Sequence, residues 1–430
     1  MSANFIYLAN HFGGLHTYSV DGSGNLTHID SDDQGDTAYA VWGDGNFIYL
    51  ANWTGGLHSY SVDNSGNLTH IDSDDQGDLA SRVWGDGNFI YLANHNGGLH
   101  SYSVDTFGNL THVDFDDQGD SANDVWGDGN FIYLANHSGG LHSYSVDGSG
   151  NLTHIDSDDQ GEFAYGVWGD GNFIYLANYD GGLHTYSVDN SGNLTHIDSD
   201  DQGGVARSIW GDGNFIYLAN YDAGLHVYSV DGSGNLTHIG FDDQGDEATE
   251  VWGDENFIYL ANSGGGLHTY SVDNSGNLTH IDFDDQGDYA VGVWTGSINP
   301  TKVVTVQSVG GANKYFIDGQ QQPTLELTEG NTYVFDWSAA PTHPFRFSTT
   351  PDGTHAGGTE YTTGVSVDAS NYKTSITVAT SAPTLFYYCE FHSGMGGQAN
   401  TPGATTSSSS SSSPSASPSA SSSTSPSTSP

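Results

Sequence analysis

Seven near-identical copies of one 42-residue unit occupy residues 1–294, starting at Asn4, Asn46, Asn88, Asn130, Asn172, Asn214 and Asn256. A unit repeated this faithfully folds the same way each time and buries its apolar face against its neighbours, so the chain is confined to a stack or a ring. Each copy reads Asn-Phe-Ile-Tyr-Leu-Ala-Asn, then Gly-Leu-His-x-Tyr-Ser-Val, then Gly-Asn-Leu-Thr-His-Ile (or Val), then Val-Trp or Ile-Trp. In the first unit these runs predict strands over 4–9, 15–20, 26–29 and 38–42. The connections are rich in Gly, Asp and Asn, and Asp44-Gly45 is a hairpin signal because both residues accept positive φ. No segment carries a sustained helical period.

A period near 42 suits a four-stranded propeller blade, whereas β-solenoid rungs are usually shorter. The fold class expected is therefore all-β, with a seven-bladed β-propeller over 1–295. The region opens with the Asn-Phe-Ile-Tyr strand and closes with the Val-Trp strand over 289–294. The last strand is thus expected to join the first three, completing the final blade from both ends and removing open edges. The run from Phe5 to Ile29 resembles the strand pair of lactonase-like propellers with Tyr-Val-Ala-Asn repeats. The length and layout also resemble the LVIVD-type repeat of extracellular and surface proteins. Both resemblances cover residues 1–294 and imply a fold, not an activity. No catalytic residue of either family maps onto a position here.

Charge narrows the partners. The formal net charge is −47, and residues 1–294 hold 45 of the 53 acidic residues but two basic ones, Arg82 and Arg207. Such a surface repels nucleic acid and anionic membranes and attracts cations or basic partners. Lactonase chemistry on phosphorylated sugars would call for clustered basic residues. No run is apolar and long enough to span a bilayer, and the start Met-Ser-Ala-Asn-Phe-Ile-Tyr lacks the marks of a Sec-type signal peptide. A single cysteine excludes an intrachain disulfide.

The copies disagree at few places, and those places cluster. One cluster follows Leu-Ala-Asn and includes Phe12, Trp53, Tyr179 and Tyr221. Another surrounds the invariant alanine before Val-Trp and includes Tyr39, Arg82, Asn123, Phe163, Tyr165, Arg207, Glu250 and Tyr289. A smaller Ser/Phe switch runs through Ser31, Phe115, Phe241 and Phe283. Antiparallel strand order places all of these at one end of the blades. The Gly-Asp-Gly-Asn and Asp-x-Ser-Gly-Asn turns, which hardly vary, lie at the other end. Aromatic residues and Arg on loops of a rigid scaffold predict a binding face for a protein or glycan ligand; relaxed constraint on exposed loops is the plainer alternative.

Other repeated residues read as structural. Fourteen histidines in two rings, such as His16 and His28, recur in every unit and point to hydrogen bonding, as the Trp42 ring points to packing. The Asn25-Leu26-Thr27 sequon fits a turn followed by a strand. The Asp30-x-Asp32-x-x-x-Asp36 pattern around Gly35 spaces oxygen ligands as calcium loops do, but it lacks a trailing bidentate Glu and is broken by Gly204 and Gly240.

The repeat stops after Trp294, and 296–300 reads as a linker. Residues 301–400 show short β segments enough for one β-sandwich, which the resemblance given below implies to be of Greek-key type. Its chemistry lies in Cys389-Glu390-Phe391-His392-Ser393-Gly394-Met395, which holds the one cysteine and the one methionine besides Met1. A thiolate, imidazoles and a thioether suit copper. This segment resembles the ligand loop of the cupredoxins, the type 1 blue-copper proteins, with the short Cys-x-x-His-x-x-Met spacing of amicyanin; plastocyanin's loop is longer. The resemblance implies His343, Cys389 and His392 as strong ligands and Met395 as the axial one. It departs at Pro344, where many members have Asn, and so puts a hydrogen bond to the cysteine sulfur in doubt. His355 is a spare candidate in a loop. Residues 401–430 are a Ser/Thr/Pro-rich tail expected to be disordered.

The function expected is a non-catalytic recognition or structural protein of surface or virion type, with a copper site. A copper electron-transfer protein whose propeller docks a redox partner is the alternative, and a lactonase-like hydrolase the third.

Overall fold

The computed structural model describes residues 3–254 and 256–403. Among them no α-helix occurs, and the repeat region forms seven four-stranded antiparallel sheets. The Val-Trp strand is innermost in each sheet. Contacts between successive Val-Trp strands run round a closed circle from Ala40–Gly43 to Gly292–Ile298 and back. The seam is the expected one: Ala3–Ala9 pairs antiparallel with Gly292–Ile298, from Ala3 opposite Ile298 to Ala9 opposite Gly292.

Boundaries differ from the sequence reading for local reasons. The closing strand runs to Ile298, three residues past the expected end of the propeller, because Ala3–Phe5 offers it a full-length partner. This leaves Asn299, Pro300 and Thr301 between strands. The innermost strand begins at Ala40, not at residue 38, because Ala38 is drawn off into an isolated bridge with His11. The Asp44 turn spans four residues: Asp44 N–H donates to the Phe47 carbonyl, and the Asp44 carboxylate accepts from the amides of Asn46 and Phe47 and from the Tyr49 hydroxyl.

Packing between blades explains several invariant residues. Ring centres of Trp42 and Trp84 lie 6.2 Å apart, and those of Trp42 and Trp294, on the blade that holds the closing strand, lie 6.5 Å apart. A Cβ on Gly43 would stand 2.7 Å from the Trp294 ring, so this position admits no side chain. The two histidine rings are paired. His16 Nε2 lies 3.0 Å from the Gly13 carbonyl, which fixes it as donor, and His16 Nδ1 accepts from His28 Nε2–H at 3.0 Å. All seven blades repeat the pair. Asn25 Nδ2 donates to Asp21 in its turn, as the structural reading of the sequon requires.

Among the described residues the Asp30, Asp32 and Asp36 carboxylates do not form a group close enough to share an ion, which corrects the calcium-loop reading. Asp30 accepts the Leu68 amide of the next blade at 2.9 Å, Asp32 accepts from Gln34, and Asp36 accepts the Thr37 amide at 2.7 Å. The first of these joins neighbouring blades, so the spacing serves assembly.

Residues 302–400 form a six-stranded and a four-stranded sheet that share one apolar core, including Tyr315, Phe335, Phe345, Phe347, Tyr387 and Cys389. This unit rests on the invariant end of the propeller. Thr301 N–H donates to the Val62 carbonyl, Lys302 Nζ to Asn64 Oδ1, and Ser375 Oγ lies 2.9 Å from Thr106 Oγ1. Val334 joins the cluster of Phe47 and Leu110, against which Phe107 packs. In this turn the other blades carry Gly-Ser or Asn-Ser where this one has Thr106-Phe107. The tail reading lies outside the described residues from 404 onwards.

Candidate functional site

Two places gather chemistry: the axial end of the propeller and the Cys389 loop of the second unit. At the axis, the residue after each invariant alanine points inward. All seven (Tyr39, Ser81, Asn123, Tyr165, Arg207, Thr249 and Val291) line one cavity of about 200 Å³, together with Trp53, Arg82 and His95. Tyr39, Arg207, Thr249 and Val291 also border a wider cavity of about 720 Å³, whose rim adds Tyr221, Asp222, Asp246, Glu247 and Tyr289.

The variable residues divide by role. Tyr39 and Trp53 stack at 4.7 Å, and Tyr165 stacks on Tyr179 at 5.3 Å. The Arg207 guanidinium lies 4.6 Å from the ring centres of both Tyr165 and Tyr221. Phe12 is 65% exposed and packs edge-on against His11, while Phe163 stacks on His137 at 4.1 Å; neither lines the two cavities. Asn123 donates to the Ala164 carbonyl of the next blade at 2.8 Å, and Thr249 makes the equivalent tie to Ala290. The Ser/Phe switch falls on the outermost strands, where Phe115 stacks on His100, so it belongs to the rim and not to the axis.

Arg82 and Glu250 are interior residues. Each follows a cavity-ring residue by one position, Arg82 at the start of its innermost strand and Glu250 within its own, with Arg82 Nε 3.7 Å from Glu250 Oε1 and side chains 14% and 12% exposed. Asp124, at the same level, accepts the amides of Val125 and Val167 at 2.8 Å. Burial pushes the Asp124 carboxyl up to about 6 and the Glu250 carboxyl to about 7, against the pull of Arg82. Burial works against the Arg82 charge too, but Glu250 and Asp124 override it and hold the guanidinium protonated.

The loop around the cavity is strained. His11, Trp53, His95, His137, Tyr179 and Tyr221 all adopt φ between 37° and 45°. A bulky residue in this left-handed region costs of order 1 kcal/mol or more. The tight loop enforces it, with Asn10 N–H donating to Gly14 O and Gly13 N–H to Asn10 O.

In the second unit, strands Phe345–Ser348 and Leu385–Cys389 pair with Phe345 opposite Cys389. This brings His343 beside the cysteine. Cys389 Sγ lies 3.7 Å from His343 Nδ1 and 3.6 Å from His392 Nδ1. Among the described residues this trio is the group of His, Cys and acidic side chains close enough to share a metal. Bonds of about 2.0 Å to nitrogen and 2.3 Å to sulfur in a plane set donors about 3.7 Å apart, so the spacing fits a small metal ion. Cys389 and Met395 are buried in the same core, His343 is half-buried and His392 is exposed. Burial, then the neighbouring His392, lowers the His343 imidazole below its ordinary value and keeps it neutral, as a ligand must be.

Neighbours hold the loop. Asp352 accepts from Ser393 Oγ and the Gly394 amide, each at 2.7 Å. Tyr315 donates its amide to the Met395 carbonyl and its hydroxyl to the His343 carbonyl. His355 stands outside the trio, its Nε2 2.9 Å from the Cys389 carbonyl. Pro344 contributes its carbonyl, which accepts the Glu390 amide. Sequence reasoning missed Asp352 and Tyr315, which carry no motif. It also missed Thr106-Phe107, whose departure from the other turns was the available signal.

The comparisons agree with the ring. The family described as the lactonase seven-bladed β-propeller matches residues 132–240, and the LVIVD repeat matches residues 119–142. The repeat region is a seven-bladed β-propeller, similar to the lactonase family over the matched residues. A computationally designed protein, Ika8, is similar to the chain at TM-score 0.51 and 12% identity, over 75% of this chain and 93% of that one. A streptogramin B lyase is similar at TM-score 0.50 and 11% identity, over 68% of this chain and 95% of that one. Identities this low speak for the fold alone. No curated protein sequence matches the chain.

Proposed function

We propose that this chain is a non-catalytic recognition protein carrying one copper ion, held by His343, Cys389, His392 and Met395 in a cupredoxin-like unit. The observation that carries this reading is the convergence of two imidazole nitrogens on the buried Cys389 sulfur at 3.6 and 3.7 Å. A buried thiolate with two imidazoles and a thioether favours copper. When bound, the ion supplies one-electron redox chemistry. The protein's part is to fix the donors: strand pairing sets His343 against Cys389, and Asp352 and Tyr315 restrain the loop to Met395.

The propeller supplies recognition through its axial cavities. Its two arginines do not act as a cluster, Arg82 being paired with Glu250 and Arg207 set between two tyrosines, which speaks against the clustered basic chemistry of a sugar-phosphate lactonase. The second unit rests on the opposite end, so the variable end stays open. A surface or virion setting suits such a plan.

Metal analysis of the purified protein tests the copper reading. One copper per chain and an intense visible thiolate-to-copper band, lost in Cys389→Ser, are expected. Zinc alone, or copper retained by Cys389→Ser, would overturn it. Electron transfer is the second reading, favoured by the exposed His392 beside Phe391, which is 62% exposed and gives a partner an apolar approach. Reversible reduction of the bound copper by a protein partner would support it.

A further inference from the structure

Arg207 is the cation of the propeller with no carboxylate in ion-pair range among the described residues; Arg82 has Glu250, and 1–294 contains no lysine. That is anomalous in a chain with 53 acidic and 6 basic residues. The guanidinium is clamped between the Tyr165 and Tyr221 rings, and its Nε is buried without a hydrogen-bond partner among the described residues. Stacking fixes the plane of an arginine and leaves its edge donors for a planar anion such as a carboxylate. Arg207 borders both axial cavities.

The surroundings restrict what brings that anion. Asp222, Asp246 and Glu247 share the wider cavity with Arg207, so a dianionic phosphate or a polyanion meets repulsion there. The same carboxylates accept hydrogen bonds from hydroxyl groups. Tyr39, backed by Trp53, and the 55% exposed Tyr289 present flat aromatic surfaces to the cavity. Its size, about 720 Å³, is in the range of small-molecule sites. One negative charge, many hydroxyls and a ring with an apolar face describe a sugar acid.

We propose that the axial cavities bind a glycan through a uronic acid residue, with the sugar carboxylate on Arg207 and the ring on Tyr39 and Tyr289. This rests on the recognition reading of the variable face and names its ligand class.

The test is calorimetric titration of the full chain with an aldobiouronic acid, a disaccharide carrying one carboxylate. Lactose, glucose 6-phosphate and a short peptide with a free C-terminal carboxylate serve as comparators. The acid disaccharide is expected to bind at least tenfold more tightly than each comparator. Arg207→Ala and Arg207→Lys are each expected to weaken it at least tenfold, the lysine variant because it keeps the charge but loses the planar fork. Arg207→Lys should melt as the wild type does, separating binding from folding. No binding of the acid disaccharide at millimolar concentration, or equal binding by the Arg207 variants, would overturn the proposal. Preferential binding of lactose or the peptide overturns the sugar acid while leaving the recognition face standing. The copper content is read separately and is independent of either result.

Discussion

Ser375 Oγ lies 2.9 Å from Thr106 Oγ1, tying the second unit to the one blade turn that departs from the Gly-Ser or Asn-Ser of the others. Phe107 packs beside it, on the cluster that takes in Val334. The short connection and the contacts to Val62 and Asn64 place the unit beside this turn, and these two residues add a contact that the other turns do not offer. Restoring the repeat with Thr106→Gly and Phe107→Ser should cost the interface about 1–3 kcal/mol. Small-angle scattering should then show a wider spread of unit positions, with the metal content and propeller melting unchanged.

The paired histidines make stability fall in acid. Burial first, then the facing histidine, lowers the inner imidazoles, with His100 and His184 going from 6.5 to about 4. A group with a depressed folded value is fully stabilising above 6.5 and loses that contribution as pH falls towards 4. Denaturant midpoints should therefore drop between pH 6.5 and 4, and less steeply for a chain with His100→Gln and His184→Gln.

Asp124 and Glu250 act in the opposite sense. Their folded values, about 6 and 7, stand above the ordinary 3.8 and 4.5. Their contribution is complete below about pH 4 and is lost as pH rises through 6 to 7. The double variant Asp124→Asn, Glu250→Gln should lose stability in acid more steeply than the wild type. Arg82→Ala, which strands both acids, should destabilise by about 3 kcal/mol at neutral pH. Adding the two amide changes should restore most of that loss.

Asp352 holds the stretch between His392 and Met395 through Ser393 and Gly394. Asp352→Ala should lower the melting temperature of the second unit, by about 1–3 kcal/mol of stability. It should also broaden the visible copper band, with copper stoichiometry retained.

Gly43 faces Trp294 of the neighbouring blade, with no room for a Cβ. Gly43→Ala should destabilise the propeller by about 1–3 kcal/mol, seen as an earlier thermal transition.

Much of this was legible in the residues because repetition amplifies weak signals. The period named the blade, and the one-strand offset between Asn4 and Trp294 named the seam. Cys389 and Met395 stood out by rarity, with His392 midway between them, and their local spacing needs no tertiary information. The Asp30 pattern misled because oxygen spacing along a chain does not say whether carboxylates converge; Asp30 turned outward to the next blade's Leu68 amide. Arg82 and Glu250 were read as surface because variability marks loops, whereas these two face one another across the axis from distant blades. Contacts of that kind depend on ring geometry and leave no trace in a single unit.

The seam has a mechanical meaning. Strand Gly292–Ile298 runs into the second unit through Asn299, Pro300 and Thr301, so tension on that unit pulls directly on the closing strand, starting at the Ile298–Ala3 pair. A strand peeled from its end yields one pair at a time, which is the weak direction for a sheet. The bonds from Asn299 to Gly45, from Thr301 to Val62 and from Ser375 to Thr106 lie in parallel with that route and must break first. Docking therefore works as strain relief for the ring, and a chain pulled by its C-terminal half sheds load into two neighbouring blades before the circle can open.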